Sequence, residues 1–279
     1  MTYEEAYKSA KDTLTSAKIA DAKIDALYLM LHYLDTDRTH FFMNLKEEIE
    51  PNKFEMIKEA LKRRCNHIPL QQIIGYTEFM GHKFKVTDDV LCPRMETEQL
   101  ILEVLRYLKS GMRVLDLCCG SGCIGISLKL ANPKVVVDIA DISDEALKVA
   151  TYNAQSLDAD VNIINSNLFD NIDSTYDIIV SNPPYIPTGD IETLMSEVKD
   201  HEPILALDGG EDGFDFYKKI IKESRLYLAD CGFIFFETGY NQGSVINDLL
   251  DKAGFLDVKI IQDLAGYDRI ACARFSKED

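Results

Sequence analysis

The chain has 279 residues, 46% of them hydrophobic, and a formal net charge of −17. This length fits one large domain with a smaller one, and it supplies enough apolar residues for a sizeable core. A strongly acidic chain is a poor binder of polyanions, because lysine and arginine contacts to phosphates supply most nucleic-acid affinity. The charge therefore disfavours a nucleic-acid substrate without excluding one.

The remaining composition predicts a cytoplasmic protein without a metal site. No apolar run of about 18 residues is present and the N-terminus is polar and acidic, so we expect neither a membrane span nor a signal peptide. The seven cysteines form no C-x-x-C pair, which favours reduced thiols over disulfides or zinc. The five histidines are scattered without the spacing of metal ligands.

The first 75 residues are predicted to form a small helical bundle. Thr2 and Glu5 have the spacing of a capping box, and apolar residues then recur at helical intervals. A second apolar helix begins near Ala26, and a further one starts with Pro51, which helices accept in their first turn. No strand pattern interrupts this region.

The pattern changes after residue 75. Gly81 and the β-prone run at residues 82–86 predict a hairpin linker over residues 76–92. From residue 93 onward helices alternate with seven short strands, which is typical of a mostly parallel sheet covered on both faces. Ligands of such sheets bind beyond the carboxyl ends of the strands. The strands are predicted at residues 113–117, 135–140, 161–164, 177–181, 232–237, 256–261 and 269–275.

The first of these strands runs into a glycine turn that reads Asp116-Leu117-Cys118-Cys119-Gly120-Ser121-Gly122. Glycine permits positive φ and a close approach of a ligand to the backbone. Ser121 and the start of the next helix can direct N–H groups at an anionic or carboxylate group. The spacing fits neither a dinucleotide loop nor a triphosphate loop. On its own, the segment is equally compatible with a cofactor loop and with a plain tight turn.

Two further strand ends carry polar residues. Asp141 ends the second strand, where a carboxylate can accept hydrogen bonds from both hydroxyls of a ribose. The alternative is that Asp141 caps the next helix, a role that Ser143 or Asp144 can also fill. Asn167 and Leu168 follow the third strand, at a position suited to an adenine edge and face.

The fourth strand ends in Asn182-Pro183-Pro184-Tyr185. Two prolines fix two φ angles and remove two backbone donors, so the loop is stiff and offers bare carbonyl oxygens. An amide side chain, these carbonyls and an aromatic ring together suit a planar group that carries an NH2. The alternative is a strand-terminating turn with an ordinary packed tyrosine.

A glycine turn, an acid and this loop at one sheet edge resemble S-adenosylmethionine-dependent methyltransferases that modify planar NH2 groups. More narrowly, the chain resembles the PrmC/HemK family of peptide chain release factor glutamine methyltransferases. The resemblance covers nearly the whole chain. Its further segments are Gln-Ile-Ile-Gly at 72–75, Glu-Phe-Met-Gly at 78–81, Pro-Arg-Met-Glu-Thr-Glu at 93–98, Glu-Pro at 202–203, Gly-Gly at 209–210, Asp-Gly at 212–213 and Gly-Tyr-Asp-Arg at 266–269.

The resemblance implies a Rossmann-like, seven-stranded methyltransferase domain at residues 93–279, the hairpin linker, and an N-terminal helical substrate-recognition domain at residues 1–75. It implies methyl transfer from S-adenosyl-L-methionine to the side-chain amide nitrogen, N5, of the glutamine in the Gly-Gly-Gln motif of release factors, with S-adenosyl-L-homocysteine as product. The release factor is then the protein partner. We expect a monomer that needs no metal, no nucleic acid and no membrane.

The resemblance also implies roles for single residues. The Asn182 side-chain oxygen and the Pro183 carbonyl are expected to accept the two amide N–H bonds, and Tyr185 to pack on the amide plane. Asn182, Pro183 and Tyr185 are thus the expected catalytic residues, and Pro184 joins them in binding the substrate. The expected cofactor-binding residues are Asp116, Cys118, Cys119, Gly120, Ser121, Gly122, Asp141, Asn167, Leu168 and Asn182.

The chain departs from the family pattern at two positions. Cys118 stands where the family loop usually has glycine, and a cysteine that needs positive φ would be strained. Met95 replaces a common proline, which we expect to change only the stiffness of its loop.

Two other functions remain open. One is a DNA or RNA adenine or cytosine amino-methyltransferase, since DNA adenine methyltransferases share Asn-Pro-Pro-Tyr and would have to extrude a base. The acidic charge counts against it. The other is a catalytically silent methyltransferase fold that serves as a binding module, which the intact Asn182–Tyr185 loop, Asp116 and Asp141 disfavour.

Overall fold

The computed structural model describes residues 1–277, which divide into two compact units. The first consists of Met1–Tyr76 and a returning segment, Met195–His201. The second consists of Thr77–Leu194 and the chain from Glu202 onward. Within residues 1–277 no helix combines the length and the apolar character that a membrane crossing requires.

The first unit is helical, as predicted. Thr2 and Glu5 form the capping box: the Thr2 hydroxyl accepts from the Glu5 N–H at 3.3 Å, and the Glu5 carboxylate accepts from the Thr2 N–H at 2.9 Å. Buried apolar residues such as Leu14, Met30 and Phe41 form the core. The helices are α1 Tyr3–Ser16, α2 Ala22–Leu34, α3 Arg38–Met43, α4 Pro51–Cys65 and α5 Leu70–Ile74, to which the returning segment adds the short α9 Ser196–Lys199.

The second unit contains a small hairpin and a seven-stranded sheet, which confirms the predicted fold class. The hairpin strands are β1 Tyr76–Phe79 and β2 His82–Lys85. The sheet strands are β3 Arg113–Leu117, β4 Val136–Asp141, β5 Asn162–Asn165, β6 Tyr176–Ser181, β7 Leu228–Glu237, β8 Leu256–Gln262 and β9 Asp268–Arg274.

The strand order is β5-β4-β3-β6-β7-β9-β8, with β3 to β7 parallel and β9 antiparallel to both of its neighbours. Because the five parallel strands point the same way, their carboxyl ends meet at one edge of the sheet. An apolar cluster covers each face, one including Leu100 and Ile124 and the other including Tyr217 and Ile246. The helices of this unit are α6 Met95–Leu105, α7 Cys123–Ala131, α8 Asp144–Ser156, α10 Ile204–Leu207, α11 Asp215–Ser224 and α12 Gly243–Lys252, with a 3-10 turn at Thr188–Thr193.

One predicted boundary is wrong. The sequence predicts that a strand begins at residue 232, whereas α11 ends at Ser224 and β7 already begins at Leu228. Leu228 pairs with Tyr176 on β6, and the register shifts before the next pair. Cys231 has a φ of 60°, so β7 is irregular at the point where local sequence suggests its start.

Candidate active site

A cavity opens at the carboxyl edge of the parallel strands. It brings together most of the residues that the sequence predicts to bind a cofactor or a substrate. The predicted residues along its wall are Cys118, Cys119, Gly120, Ser121, Asp141, Asn167, Leu168, Asn182 and Pro184. The predicted residues that do not line it are Asp116, Gly122, Pro183 and Tyr185.

The glycine turn after β3 depends on left-handed backbone at three positions. Cys118 has a φ of 58°, Gly120 of 52° and Gly122 of 77°. The predicted strain at Cys118 is therefore present, because an L-residue other than glycine pays roughly 1 kcal/mol in this region. Gly122 has a second constraint: a Cβ there would lie 2.9 Å from the Ile126 side chain.

Asp116 lies beneath the turn rather than on the cavity wall. Its side chain is fully buried, and Oδ2 accepts from the Gly125 N–H at 2.9 Å. Burial raises the pKa of this carboxyl to about 8. Its Oδ1, like the buried hydroxyl of Ser121, has no hydrogen-bond partner among the described residues. Of these two unpartnered oxygens, only that of Ser121 belongs to a residue that lines the cavity.

Asp141 holds the turn from the neighbouring strand. Its Oδ2 accepts from the Gly120 N–H at 2.9 Å, and Oδ1 accepts from the Ser143 N–H at 3.0 Å. Burial nevertheless raises the pKa of the Asp141 carboxyl, against the effect of these hydrogen bonds. The helix cap is Ser143, whose hydroxyl accepts from the Ala146 N–H at 3.2 Å. Asp141 is therefore free of the capping role and faces the cavity.

Asn167 and Leu168 lie on the wall after β5. Asn167 is exposed, whereas Leu168 is buried and has a φ of 52°. The buried Ser166 hydroxyl donates to the Leu168 carbonyl at 2.8 Å, which stabilises this unusual backbone. The pair therefore offers one polar edge and one apolar face.

The Asn-Pro-Pro-Tyr loop is braced from outside the cavity. The Tyr185 carbonyl accepts from the Gln242 side chain at 2.9 Å, and the Ile186 N–H donates to the Leu207 carbonyl at 3.0 Å. Gly209 packs so closely that a Cβ there would lie 2.7 Å from the Tyr185 Cα. The half-buried Tyr185 ring packs against one of the two core clusters, so the loop is held rigidly.

Sequence reasoning missed two buried residues behind Asn182. Thr97, near the start of α6, donates from its hydroxyl to Glu237 Oε2 at 2.6 Å. Asn182 Nδ2 in turn donates to the Thr97 hydroxyl at 3.5 Å. The signals were present: Thr97 lies within the segment at 93–98, and Glu237 ends a predicted strand just as Asp141 does.

A third missed feature closes the cavity on the side of α10. Arg94 lines the cavity and donates to both carboxylate oxygens of Glu202, at 2.6 and 2.8 Å. Glu202 is buried, and Pro203 after it lines the cavity as well. One nitrogen of the Arg94 guanidinium makes both bonds, and this ion pair holds Arg94 at the cavity wall.

Comparisons with known proteins identify the family of this chain. A family model described as the methyltransferase small domain matches residues 96–201, and one described as the PrmC N-terminal domain matches residues 5–75. A release factor glutamine methyltransferase of Geobacter sulfurreducens is 36% identical over 94% of this chain and 92% of its own length. One of Clostridium botulinum is 40% identical over 94% and 95%. The chain belongs to the release factor glutamine methyltransferase family.

A solved structure supports the fold of this family member. The crystal structure of a methyltransferase from Pyrococcus furiosus matches with a TM-score of 0.55 at 17% identity, over 70% of this chain and 90% of that one. The family and the fold make the chain an S-adenosylmethionine-dependent methyltransferase, as the sequence predicts.

The cavity fits this methyl donor. Ser121, with its unpartnered buried hydroxyl, and the carboxylate of Asp141 line the cavity and suit a ligand with a cationic, hydrogen-bonding body. When bound, S-adenosylmethionine supplies an electrophilic methyl group on a positively charged sulfur. No group of three or more metal-ligating side chains occurs in the described part of the chain.

Proposed function

We propose that this methyltransferase transfers the methyl group to the side-chain amide nitrogen, N5, of the glutamine in the Gly-Gly-Gln motif of a peptide chain release factor. The observation that carries the proposal is the rigid Asn182–Tyr185 loop at the cavity that fits the methyl donor. Relatives that match nearly the full chain are named release factor glutamine methyltransferases, which supports this acceptor.

The loop has the chemistry that an amide acceptor needs. An amide nitrogen is a poor nucleophile because its lone pair is delocalised into the carbonyl. In our proposal the Asn182 Oδ1 and the Pro183 carbonyl accept its two N–H bonds and so aim the nitrogen at the methyl group. Catalysis then consists mainly of positioning and electrostatics.

Tyr185 has a packing role in this scheme. Burial raises the pKa of its hydroxyl, so the phenol stays neutral at physiological pH and does not act as a base. Its ring would pack on the plane of the acceptor amide, and Pro184 would complete the wall. The methylated nitrogen is acidic, and its surplus proton leaves to water.

Cofactor binding is assigned to the residues around the glycine turn. We propose that Asp141 binds the ribose hydroxyls, that Asn167 and Leu168 contact the adenine, and that the turn and Asp116 hold the amino-acid end. The proposed set is Asp116, Cys118, Cys119, Gly120, Ser121, Gly122, Asp141, Asn167, Leu168 and Asn182. S-adenosylhomocysteine is the product, and no metal takes part.

The helical first unit is proposed to recognise the release factor. We further propose a monomer that acts in the cytoplasm without nucleic acid or membrane. The acidic charge supports the absence of a nucleic-acid partner, because phosphate binding requires basic residues. The cysteines of the described residues form no disulfide, which fits a reducing compartment.

The test supplies labelled S-adenosylmethionine with either a release factor or duplex DNA, and maps the methylated atom by mass spectrometry. We expect label only on N5 of the motif glutamine, and none on a release factor whose motif glutamine is replaced by alanine. Label on DNA alone, or on no acceptor, would contradict the proposal.

Asn182→Ala tests the role of the loop. We expect kcat to fall by roughly 100-fold or more, because one preorganised acceptor is lost, with donor affinity within about twofold. The matched control is Asn247→Ala, since Asn247 lies on α12, away from the residues that line the cavity, and its side chain donates to the exposed Asp251 at 3.0 Å. Full turnover by Asn182→Ala would refute the assignment.

A further inference from the structure

Asn182 and Glu237 stand side by side at the ends of neighbouring strands. Ser181 on β6 pairs with Phe236 on β7, so the next residue of each strand extends beyond the same sheet edge. Thr97, buried near the start of α6, lies between them. The three side chains form one hydrogen-bonded row at the back of the cavity.

The direction of this row follows from the inventory of donors and acceptors. An ionised Glu237 can only accept, so Thr97 gives its single hydroxyl proton to Oε2 at 2.6 Å. The Thr97 oxygen is then left as an acceptor. Whatever faces it must donate, which turns the NH2 group of Asn182 inward, at 3.5 Å. Oδ1 of Asn182 is thereby the group left for a ligand.

We propose that Thr97 and Glu237 are positioning residues that fix the Asn182 amide with its oxygen toward the acceptor, so that the site selects an amide over a carboxylate. The inference rests on the proposed function, because the acceptor is taken to be a glutamine side chain. A glutamine offers N–H groups to Oδ1, whereas a glutamate of the same shape offers only oxygens.

The backbone keeps this row in place. The buried Tyr217 hydroxyl donates to the Glu237 carbonyl at 2.8 Å, and the Thr97 N–H donates to the Arg94 carbonyl at 3.1 Å. An Asn182 amide without Thr97 would have two nearly equal orientations, since its oxygen and nitrogen have similar shapes. Only one of them presents an acceptor to the substrate.

The charged and titratable groups around Glu237 determine the pH at which it is ionised, and the hydrogen bonds of the row keep their direction only while it is ionised. Burial and the nearby Glu96 raise the pKa of the Glu237 carboxyl to about 7, against the hydrogen bond from Thr97, the nearby Asn182 amide and the charge of Arg269. The other titratable neighbours are Tyr185, Tyr217 and Cys123, whose pKa values burial raises, so they stay neutral. A protonated Glu237 can donate to Thr97, which removes the constraint on Asn182.

The experiment measures binding of a release factor and of its motif Gln→Glu variant to the full-length enzyme saturated with S-adenosylhomocysteine, at pH 8. We expect the wild-type enzyme to prefer glutamine by at least about tenfold, since a mismatched carboxylate leaves a buried acceptor unpaired. Thr97→Val keeps the shape and removes the hydroxyl, and should reduce the preference to less than about threefold. Thr97→Ala should do the same, and Thr97→Ser should retain the preference.

The matched control is Thr238→Val. Thr238 is a fully buried threonine next to Glu237, and its hydroxyl has no partner among residues 1–277. This variant should keep the wild-type preference. Binding of S-adenosylhomocysteine should stay within about threefold of wild type in every variant, because nine of the ten residues assigned to the donor keep their positions, which separates lost positioning from lost folding.

Two results would overturn the inference in distinguishable ways. If wild type prefers glutamine and both Thr97→Val and Thr97→Ala retain that preference, the positioning role alone is refuted. If wild type binds the release factor without preferring glutamine, the proposed acceptor is refuted together with it. A preference lost in the Thr97 variants and kept in Thr97→Ser and Thr238→Val supports both.

Discussion

Three carboxyl groups lie at or behind the cavity wall, and burial raises the pKa of each. The pKa of Asp116 is about 8 and that of Glu237 is about 7. The pKa of Asp141 is also raised, although its carboxylate accepts a hydrogen bond from the Gly120 N–H. A charged group in a low-dielectric site costs free energy unless it is paired. At these carboxyls the cost of burial outweighs the hydrogen bonds that they accept.

Glu237 makes this cost measurable. Its pKa is about 7 in the folded chain against an ordinary value of 4.5, so the folded state holds a proton that the unfolded chain has already lost between these pH values. The stabilisation is complete below about pH 4.5 and is lost as the pH rises to about 7. Relative to Glu237→Gln, wild type should lose roughly 2–3 kcal/mol of unfolding free energy between pH 5 and pH 8.

Denaturant unfolding of both proteins, without ligand, at three pH values checks this difference. The comparison with Glu237→Gln cancels the titration of Asp116 and Asp141, which both proteins share. A difference between the two proteins that does not change with pH would show that Glu237 titrates alike in the folded and unfolded chains.

The packing of α7 on the sheet depends on a glycine that sequence reasoning overlooked. Gly125 lies in the first turn of α7, where its N–H reaches Asp116 and where a Cβ would collide with the Ile139 side chain on β4. The close approach of helix and strand therefore positions the carboxyl beneath the glycine turn. If Asp116 holds the donor as proposed, helix packing and donor binding are coupled at this single residue.

Gly125→Ala should lower the unfolding free energy by roughly 1–3 kcal/mol, because the added methyl group overpacks the core. It should also weaken donor binding by about tenfold, because Asp116 loses its fixed position. Calorimetric titration with S-adenosylhomocysteine and thermal unfolding measure the two effects. The control is Gly189→Ala, where a Cβ meets nothing within 4 Å and φ is not positive; equal behaviour of both variants would refute the coupling.

The helical unit is completed by a segment that is distant in sequence. Arg64 is buried, and it donates to Asp25 at 2.7 Å and to Glu197 of the returning segment at 2.6 Å. The Gln72 side chain donates to the His201 carbonyl at 2.8 Å. Removing residues 1–70 would therefore also strip residues 195–201 of their partners, so a truncation is a poor test of substrate recognition.

Arg64→Met gives a milder test. It should destabilise the helical unit by about 3–5 kcal/mol, because Asp25 is left buried without a partner. Hydrogen exchange should increase in residues 1–76 and 195–201, with S-adenosylhomocysteine affinity unchanged. The control is Lys148→Met, which removes an ion pair with Glu145 on α8 in which both side chains are exposed. Unchanged protection in Arg64→Met would contradict the role of the ion triad.

The sequence predicted the features that depend on neighbouring residues. Hydrophobic periodicity located the strands and most helices, because a side chain's face follows from its position in a helix or strand. Parallel strand order then required Asp141 and Asn182 to share one edge, and the family resemblance supplied the methyl donor and the acceptor.

Only the tertiary structure showed which other residues hold these side chains in position by hydrogen bonds and packing. Thr97 and Glu237 are 140 positions apart, and Arg64 and Glu197 are 133 apart, so no local pattern links them. The start of β7 was also missed, because it depends on the pairing of Leu228 with Tyr176, which lies 52 positions earlier in the chain. The residues that present chemistry follow from strand ends, whereas the residues that orient them depend on packing between distant parts of the chain.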